Sequence, residues 1–322
     1  MDGTRIVWPR AKEVELETFT VRPPEPGEIV VRTAVSLISP GTERAWLLGM
    51  PGTPNTFPMY PGYSAVGRVA EVGPGVEGLE VGDRVLCDGG HGTHSTLSVK
   101  RVFPLSETIE VEAAVFSRLC CIGLQGVRKS AIELGESAAV LGLGLVGILT
   151  VQIARAAGAM PVIGTDFSRA RRELAATLGA DVVLDPSAGG APENLSDVVF
   201  DCTGTPEGVN SAIRAAGYRG RVVLLASTRG LTEAVDFYQD VHKKGLAIIG
   251  AHNHVRPPED SSPGYWTLRD DTLVVLRMIE GGRIRVKELV SNRISPSEAP
   301  AVYGQLANWA EEILGVVIDW RE

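Results

Sequence analysis

The sequence predicts an α/β protein with two domains: a doubly wound parallel sheet and a second, β-rich domain. Between residues 135 and 250, apolar strand-like segments alternate with helix-like segments, a pattern typical of parallel strands joined by helical crossovers. The first 110 residues instead contain short apolar or alternating runs separated by Pro-Gly turns, which indicates β-structure. At 322 residues the chain is long enough for two domains of about 150 residues each.

The elements of the alternating region can be followed in order along the chain. Short apolar runs predict buried strands, and apolar residues at spacings of three and four predict helices. The predicted strands are 137–144, 160–166, 197–204, 220–227 and 246–252. The predicted helices between them are 145–159, 168–180 and 206–217.

The segments on either side of this region are predicted to form one further domain. Before it, apolar residues at helical spacing begin near Val111 and continue to about Leu134. After it come a predicted helix at 267–282, a strand-like run at 284–294 and a final helix-strand unit. We therefore expect residues 121–252 to form the sheet domain. The predicted β-rich domain combines residues 1–120 with residues 253–322.

Composition and charge exclude several classes of protein. The net charge of −8, with no basic run longer than Arg169–Arg172, argues against a nucleic-acid partner. No run of about 18 apolar residues is present, which argues against a membrane span. The four cysteines form no C-x-x-C pair, so we expect a reduced, cytoplasmic compartment. The expected partner is a small-molecule substrate.

A glycine motif follows the first predicted strand of the sheet domain and opens the first helix. It reads Gly142-x-Gly144-x-x-Gly147. The first glycine permits a tight turn, the second lets the backbone approach a pyrophosphate, and the third allows close helix-strand packing. The free amides at the helix start, including those of Leu145 and Val146, would bind the anion together with the positive end of the helix dipole. The motif predicts a dinucleotide site.

The type of dinucleotide is predicted from the residues that follow the second and third strands. Asp166 lies about 20 residues after the motif, where a carboxylate can hold the ribose 2′-hydroxyl of NAD. Arg171, like its neighbours Arg169 and Arg172, could instead pair with the 2′-phosphate of NADP. Thr203 and Gly204 end a central strand and should line the nicotinamide side. We expect NAD, and NADP stays open.

The whole chain resembles the medium-chain dehydrogenase/reductase superfamily, which contains alcohol dehydrogenases and quinone reductases. The resemblance rests on "EVGPGVEGLEVGDRV" at 71–85, on "LGLGLVG" at 141–147, on Asp166 and on the domain order. It implies a Rossmann domain inserted into a GroES-like catalytic domain. It also implies a homodimer or higher homo-oligomer, because this family pairs through an edge of the Rossmann sheet; the candidate edge strands here are 221–227 and 246–252.

The zinc ligands of the metal-dependent members are missing from this sequence. The first ligand position falls at Ser39-Pro40, the usual His-Glu pair is Tyr63-Ser64, and the third position falls at Ser117-Arg118. A catalytic zinc needs thiolate, imidazole or carboxylate ligands, so we expect no metal. "ISPGTE" and "PGY" look most like the metal-free branch that includes bacteriochlorophyllide hydroxyethyl dehydrogenases, which implies alcohol/ketone chemistry.

Without a metal, hydrogen-bond donors must stabilise the negative charge that grows on the substrate oxygen. By the resemblance, Tyr63 occupies the lost histidine's position, and we expect it to donate a proton as general acid. Thr42 matches the family's hydroxyl relay, with Ser39 beside it. His252 or His254, at the return from the Rossmann domain, could be the acid/base instead, because histidine titrates near neutral pH.

These residues predict a metal-free, NAD-linked dehydrogenase of a secondary alcohol or ketone, and the resemblance implies a role in secondary metabolism. One alternative is an NADPH-dependent quinone or enone reductase, in which the same donors would stabilise an enolate. A second alternative is a non-catalytic nucleotide-binding protein, comparable to the lens crystallins of this superfamily. A preference for NADH over NADPH would favour the first function.

Overall fold

The computed structural model describes residues 1–188, 193–257, 259–308 and 310–321. The chain forms two compact units. The β-rich unit comprises Met1–Arg118 and Val286–Glu322, and the inserted unit comprises Leu119–Arg285. The sequence predicted that the chain re-enters the β-rich domain at residue 253, whereas the β-rich unit resumes at Val286. The helix between these two positions belongs to the inserted unit, where Asp271 pairs with Arg128 and Arg256. Residues 189–192, 258, 309 and 322 lie outside the described residues.

The strands and helices are numbered in chain order. The strands are β1 (Asp2–Val7), β2 (Glu15–Thr20), β3 (Glu28–Ile38), β4 (Ala65–Val72), β5 (Arg84–Cys87), β6 (His94–Ser98), β7 (Val102–Pro104), β8 (Ala138–Leu141), β9 (Val162–Thr165), β10 (Val182–Leu184), β11 (Ser196–Asp201), β12 (Ala216–Leu224), β13 (Ala247–Gly250), β14 (Val290–Ile294) and β15 (Gly315–Asp319). The helices are α1 (Pro40–Leu47), α2 (Val111–Ala114), α3 (Ser117–Ser130), α4 (Leu145–Ala156), α5 (Arg169–Thr177), α6 (Pro206–Ala215), α7 (Leu268–Glu280) and α8 (Ala299–Ala307).

The inserted unit is built on a six-stranded sheet with the order β10-β9-β8-β11-β12-β13. Every neighbouring pair in it is parallel. This order reverses direction between β8 and β11, which is the arrangement of a Rossmann sheet, and ligands of such sheets bind where the order reverses. The predicted doubly wound fold is therefore confirmed.

The reversal of strand order brings two loops of the inserted unit together. β8 and β11 are paired so that Leu141 lies beside Asp201. Gly142 and Cys202 therefore leave the sheet side by side, and the amide of Cys202 donates to the carbonyl of Leu141 at 2.8 Å. The glycine motif and the Thr203-Gly204 turn thus share one end of the sheet.

The far edge of this sheet is short and partly exposed. β13 has one neighbour, β12, and its Ile248 side chain is 39% exposed. The connection between β12 and β13 contains a six-residue π-helical turn, Phe237–His242. Pairing of two copies through this edge stays a prediction.

The β-rich unit contains a seven-stranded sheet and a separate β1-β2 ribbon. The eleven-residue β3 is the centre of the larger sheet and pairs with β15, β4 and β6 in antiparallel fashion. A core of apolar side chains packs below it, including Trp8 edge-on to Tyr303 at 5.4 Å between ring centroids. The predicted strand at 284–294 is shorter than expected and covers only Val290–Ile294. No helix among the described residues is long and apolar enough to cross a membrane.

Candidate active site

The glycine motif of the inserted unit forms a turn that side chains would block. Gly142 has a φ of +87°, and a Cβ there would lie 3.0 Å from the backbone of Cys202. A Cβ on Gly147 would lie 1.9 Å from the carbonyl oxygen of Gly142. By contrast, a Cβ on Gly144, which caps helix α4, would meet no atom within 4 Å. The turn is closed on the protein side and open at Gly144, where the amides of Leu145 and Val146 begin the helix.

Asp166 lies after β9, and its carboxylate is tied to the glycine turn. Its Oδ2 accepts from the amide of Leu143 at 2.7 Å, and its Oδ1 accepts from the amide of Ser168 at 2.8 Å. Each carboxylate oxygen has more than one acceptor site. The group can therefore still accept hydrogen bonds from a ribose.

Three arginines follow Asp166, and the partners of Arg172 and Arg169 lie nearby in the chain. Arg172 donates to the carbonyl of Asp166 at 2.6 Å and forms an ion pair with Asp185 at 3.0 Å. Arg169 pairs with Glu173 at 2.7 Å on the exposed face of α5. Arg171, the arginine proposed for a 2′-phosphate, lies between them and is half-buried.

The turn after β11 is organised by a buried carboxylate. The amide and the hydroxyl of Thr203 donate to Asp201 Oδ1 at 3.0 and 2.6 Å. Gly204 follows with a φ of +73°. Burial raises the pKa of Asp201, although the hydrogen bonds from Thr203 lower it. Its Oδ2 is buried and has no hydrogen-bond partner among the described residues. Asp201 positions the turn through Oδ1, which accepts both hydrogen bonds from Thr203.

His252 and His254 lie after the edge strand β13 and contact each other. Their ring centroids are 4.5 Å apart at an interplanar angle of 75°. His252 Nδ1 accepts from the amide of His254 at 3.2 Å, so this nitrogen carries no proton in that arrangement. Burial lowers the pKa of His252, and the charges of His254 and Arg229 lower it further. His252 is therefore neutral at neutral pH.

In the β-rich unit the structure brings together the hydroxyl groups that the sequence predicted. The Tyr63 phenol donates to Ser39 Oγ at 2.6 Å, and the side chain of Thr42 lies close enough to lower the pKa of the phenol. Burial raises the pKa of Tyr63 to about 12. Glu43 adds to this rise, while Ser39, Thr42 and Arg118 partly counteract it. The phenol is therefore protonated, and it is a donor rather than a base at neutral pH.

A buried network around Glu43 supports this cluster, as expected of a structural residue that ties its loop to the core of the domain. Glu43 Oε1 accepts from the amide of Ser39 at 2.7 Å, and its Oε2 accepts from His91 Nε2 at 3.0 Å and from the hydroxyl of Tyr303. His91 Nδ1 contacts Ser36 Oγ at 2.8 Å, which leaves the Nε2 proton for Glu43. Glu43 and His91 are 1% and 2% exposed. The Ser39 loop is thus anchored to the core.

The residues at the other zinc-ligand positions, Ser64 and Arg118, form contacts with neighbouring residues of the protein. Ser64 Oγ donates to the carbonyl of Val115 at 2.6 Å. Arg118 forms an ion pair with Asp88 at 2.8 Å. The nearby thiol of Cys87 is protonated, because burial raises its pKa to about 12. Among the described residues, no group of three or more His, Cys, Asp and Glu side chains could hold a metal ion.

Two family models match the chain. The alcohol dehydrogenase GroES-like domain matches residues 25–111, and the zinc-binding dehydrogenase domain matches residues 146–261. (R,R)-butanediol dehydrogenase of Bacillus subtilis is 26% identical over 89% of this chain and 91% of its own length. The 2-desacetyl-2-hydroxyethyl bacteriochlorophyllide A dehydrogenase of Rhodobacter capsulatus is 26% identical over 100% of this chain and 99% of its own.

Comparison with solved structures gives the same fold. A Sinorhizobium meliloti protein, described as a zinc-binding dehydrogenase and bound to NADP, superposes with a TM-score of 0.84. It is 24% identical, and the match covers 99% of both chains. The two family models together span well over half of the residues, and the relatives align over nearly the whole length. The chain belongs to the medium-chain dehydrogenase/reductase superfamily.

Proposed function

We propose that this protein is a metal-free, NAD(P)-dependent dehydrogenase that interconverts a secondary alcohol and its ketone. The observation that carries the proposal is the Tyr63 phenol, which is protonated and donates to Ser39 at 2.6 Å in the position where zinc-dependent members hold a ligand. A protonated donor at this position can stabilise charge on a substrate oxygen. The names of the butanediol and bacteriochlorophyllide dehydrogenases support the same reaction class.

The side chains at the zinc-ligand positions do not fit zinc. Zinc in catalytic sites takes at least three protein ligands from thiolate, imidazole and carboxylate groups. Here the positions carry a proline, a phenol, an alcohol and a guanidinium, and the guanidinium would repel the ion. The nearest donors of the right chemistry are already used, since Glu43 and His91 bind each other and the Cys87 thiol stays protonated.

Activity is therefore expected to withstand treatment with a metal chelator. Dialysis against EDTA, followed by assay with NADH and acetoin, should leave kcat unchanged within error, because no step needs the ion. Elemental analysis of the purified protein should find far less than one zinc per chain. Loss of activity that is restored only by added zinc would contradict the metal-free proposal.

The glycine turn and Asp166 would hold the dinucleotide. The open turn at Gly144 and the start of α4 fit a pyrophosphate, because free helix amides and the positive end of the helix dipole bind anions there. Asp166 would accept from the adenosine ribose, and its negative charge disfavours a 2′-phosphate. The bound nicotinamide supplies or accepts the hydride. These features support NAD as the cofactor.

Replacing Asp166 with serine is expected to move the preference from NAD toward NADP. The Asp166→Ser variant removes a negative charge near the 2′-position, and we expect the ratio of kcat/KM for NADH over NADPH to fall by about 10-fold or more, the scale of a 1.4 kcal/mol change. Steady-state kinetics with both cofactors measures this ratio. Asp181→Ser is a matched control, because this carboxylate pairs with Arg155 away from the glycine turn. Equal preferences in wild type and Asp166→Ser would remove Asp166 from cofactor selection.

During reduction, the residues of the β-rich unit would hold and deliver the proton. Tyr63 would donate its proton to the oxygen as the carbonyl carbon is reduced. Ser39 and Thr42 would then donate to the phenolate and stabilise it until it regains a proton. The raised pKa keeps Tyr63 protonated at neutral pH, so the donor that the reduction needs would be present, although the same shift makes the phenol a weaker acid than an ordinary tyrosine.

A further inference from the structure

Arg118 is a mostly buried cation beside the hydroxyl cluster. Its side chain is 11% exposed, and its Nε forms an ion pair with Asp88 Oδ1 at 2.8 Å. Its Nη1 is also buried, and no atom of the described residues forms a hydrogen bond with it. Burying a polar donor without a partner is unfavourable, because the donor loses its hydrogen bonds to water and gains none in return. Such a donor in a candidate site calls for a ligand or another explanation.

Asp88 does not fully neutralise the positive charge around Arg118. The same carboxylate also forms an ion pair with Arg101 at 3.4 Å, and Arg101 donates to the Asp88 carbonyl at 3.3 Å. One carboxylate thus serves two guanidinium groups, which leaves one positive charge in excess. Arg101 is 56% exposed and its charge is screened by solvent, whereas that of Arg118 is not.

The other acidic groups nearby do not neutralise Arg118. Both oxygens of Glu43 are occupied by the Ser39 amide, His91 and Tyr303. Cys87 is a protonated thiol and carries no charge. The charge of Arg118 reaches Tyr63, since it lowers the pKa of the phenol against the larger effect of burial. The fold also brings the two segments together, since Ser64, the residue after Tyr63, donates to the carbonyl of Val115, three residues before Arg118.

We propose that Arg118 is a catalytic residue that binds the substrate oxygen through its Nη1 group and stabilises the alkoxide, the role that a metal ion has in zinc-dependent members of the superfamily. The inference rests on the proposed function. When bound, reduced nicotinamide would supply a hydride to the carbonyl carbon and would itself be oxidised. The π electrons of the C=O bond move to the oxygen, which takes the Tyr63 proton, and the resulting phenolate is reprotonated from solvent.

Variants of Arg118 and of an arginine outside the cluster test the assignment. Arg118→Ala should lower kcat at least about 100-fold, the usual loss for one oxyanion donor. Arg118→Lys should recover only part of this loss, because an ammonium lacks the planar fork of donors. Arg10→Ala is the control, because this guanidinium is 76% exposed and pairs with Glu13 at 2.6 Å, and it should keep kcat within about twofold, the scale of a weak surface pair. Circular dichroism should show the same fold for all variants.

Two further measurements separate a catalytic role from a structural one. Added guanidinium chloride at non-denaturing concentration should restore kcat of Arg118→Ala about 10-fold without raising that of wild type, the effect of refilling one donor site. Hexafluoroisopropanol, an acidic secondary alcohol that resists oxidation, should bind the wild-type protein with NAD⁺, as followed by ¹⁹F NMR. Its Kd should rise at least about 10-fold in Arg118→Ala and stay unchanged in Arg10→Ala.

The outcomes distinguish this inference from the proposed function. If the wild-type protein binds neither NADH nor NADPH, or reduces no ketone, both proposals are wrong. If the wild-type protein is active but Arg118→Ala keeps its kcat, or shows only a higher KM, Arg118 does not stabilise the reacting oxygen. The inference is also overturned if guanidinium fails to rescue a folded Arg118→Ala protein, or if hexafluoroisopropanol binds the variant as well as wild type.

Discussion

Replacing Tyr63 with phenylalanine is expected to lower kcat for ketone reduction at least ~100-fold, the usual scale for losing a general acid. The variant keeps the ring and removes only the hydroxyl that donates to Ser39 at 2.6 Å. KM for the cofactor should change little, because the glycine turn and Asp166 are untouched. Steady-state kinetics with NADH and acetoin measures both constants.

A second tyrosine provides the control for this substitution. Tyr60 is 50% exposed, and its ring stacks on the Arg5 guanidinium at 3.7 Å without any role in the cluster. Tyr60→Phe keeps that ring contact, so its kcat should match the wild-type value. If Tyr63→Phe turns over as fast as Tyr60→Phe, the phenol is not the acid, and His252 or His254 becomes the candidate.

The pH dependence of kcat separates these candidates further. Burial raises the pKa of Tyr63 to about 12, so the phenol remains protonated throughout the neutral range. If Tyr63 is the acid, reduction should show no titration between pH ~6 and ~9. The pKa of His252 is instead lowered, so an enzyme using it as the acid would lose activity as pH rises through a value below the ordinary ~6.5 of histidine.

Replacing Glu43 with alanine is expected to give the largest loss of stability. The carboxylate is 1% exposed and accepts from three groups: the Ser39 amide, His91 and Tyr303. Its removal leaves these buried donors without an acceptor, and each such donor costs about 1–3 kcal/mol. We expect the free energy of unfolding to fall by at least ~3 kcal/mol. Urea denaturation followed by tryptophan fluorescence measures this, since Trp8 and Trp320 lie in the same core.

A smaller change in the same network provides the comparison. Tyr303→Phe removes one of the three donors and leaves Glu43 with the other two, so the expected loss is about 1 kcal/mol. Its ring contact with Trp8 is kept. If Glu43→Ala and Tyr303→Phe destabilise the protein equally, the Ser39 and His91 contacts contribute nothing measurable, and the network does not anchor the Ser39 loop.

The Rossmann sheet could be predicted from the sequence because its signals are local. The strand-turn-helix around Gly142 depends on residues that are neighbours in the chain, and each strand carries its own run of apolar residues. The predicted helix at 145–159 corresponds to α4 at Leu145–Ala156, with its end displaced by three residues. Boundaries that depend on packing were less predictable. Helix α7 belongs to the inserted unit because Asp271 pairs with two arginines there, and no sequence pattern shows this pairing.

The candidate site was predictable only in part. Tyr63, Ser39 and Thr42 were proposed together by resemblance to a family, and the structure joins Tyr63 and Ser39 by a hydrogen bond, with Thr42 close enough to lower the pKa of the phenol. His91, the buried partner of Glu43, gave only a weak signal in the sequence, since the two residues are 48 positions apart. Arg118 was identified only as the residue at a missing zinc-ligand position, and its buried, unpartnered Nη1 could not be foreseen.

The amino-acid order alone determined the class of fold and the glycine turn, because their signals lie in residues a few positions apart, and the family resemblance showed which residues stand at the zinc-ligand positions. Tertiary structure alone decided the protonation of Tyr63, the partners of Glu43 and the sharing of Asp88 by two arginines. Those properties arise from burial and from contacts between distant segments, such as Glu43 and Tyr303, 260 residues apart. The interaction energy of a charge and the pKa of a donor depend on how much water surrounds the group. Only the folded chain determines how much water is excluded there.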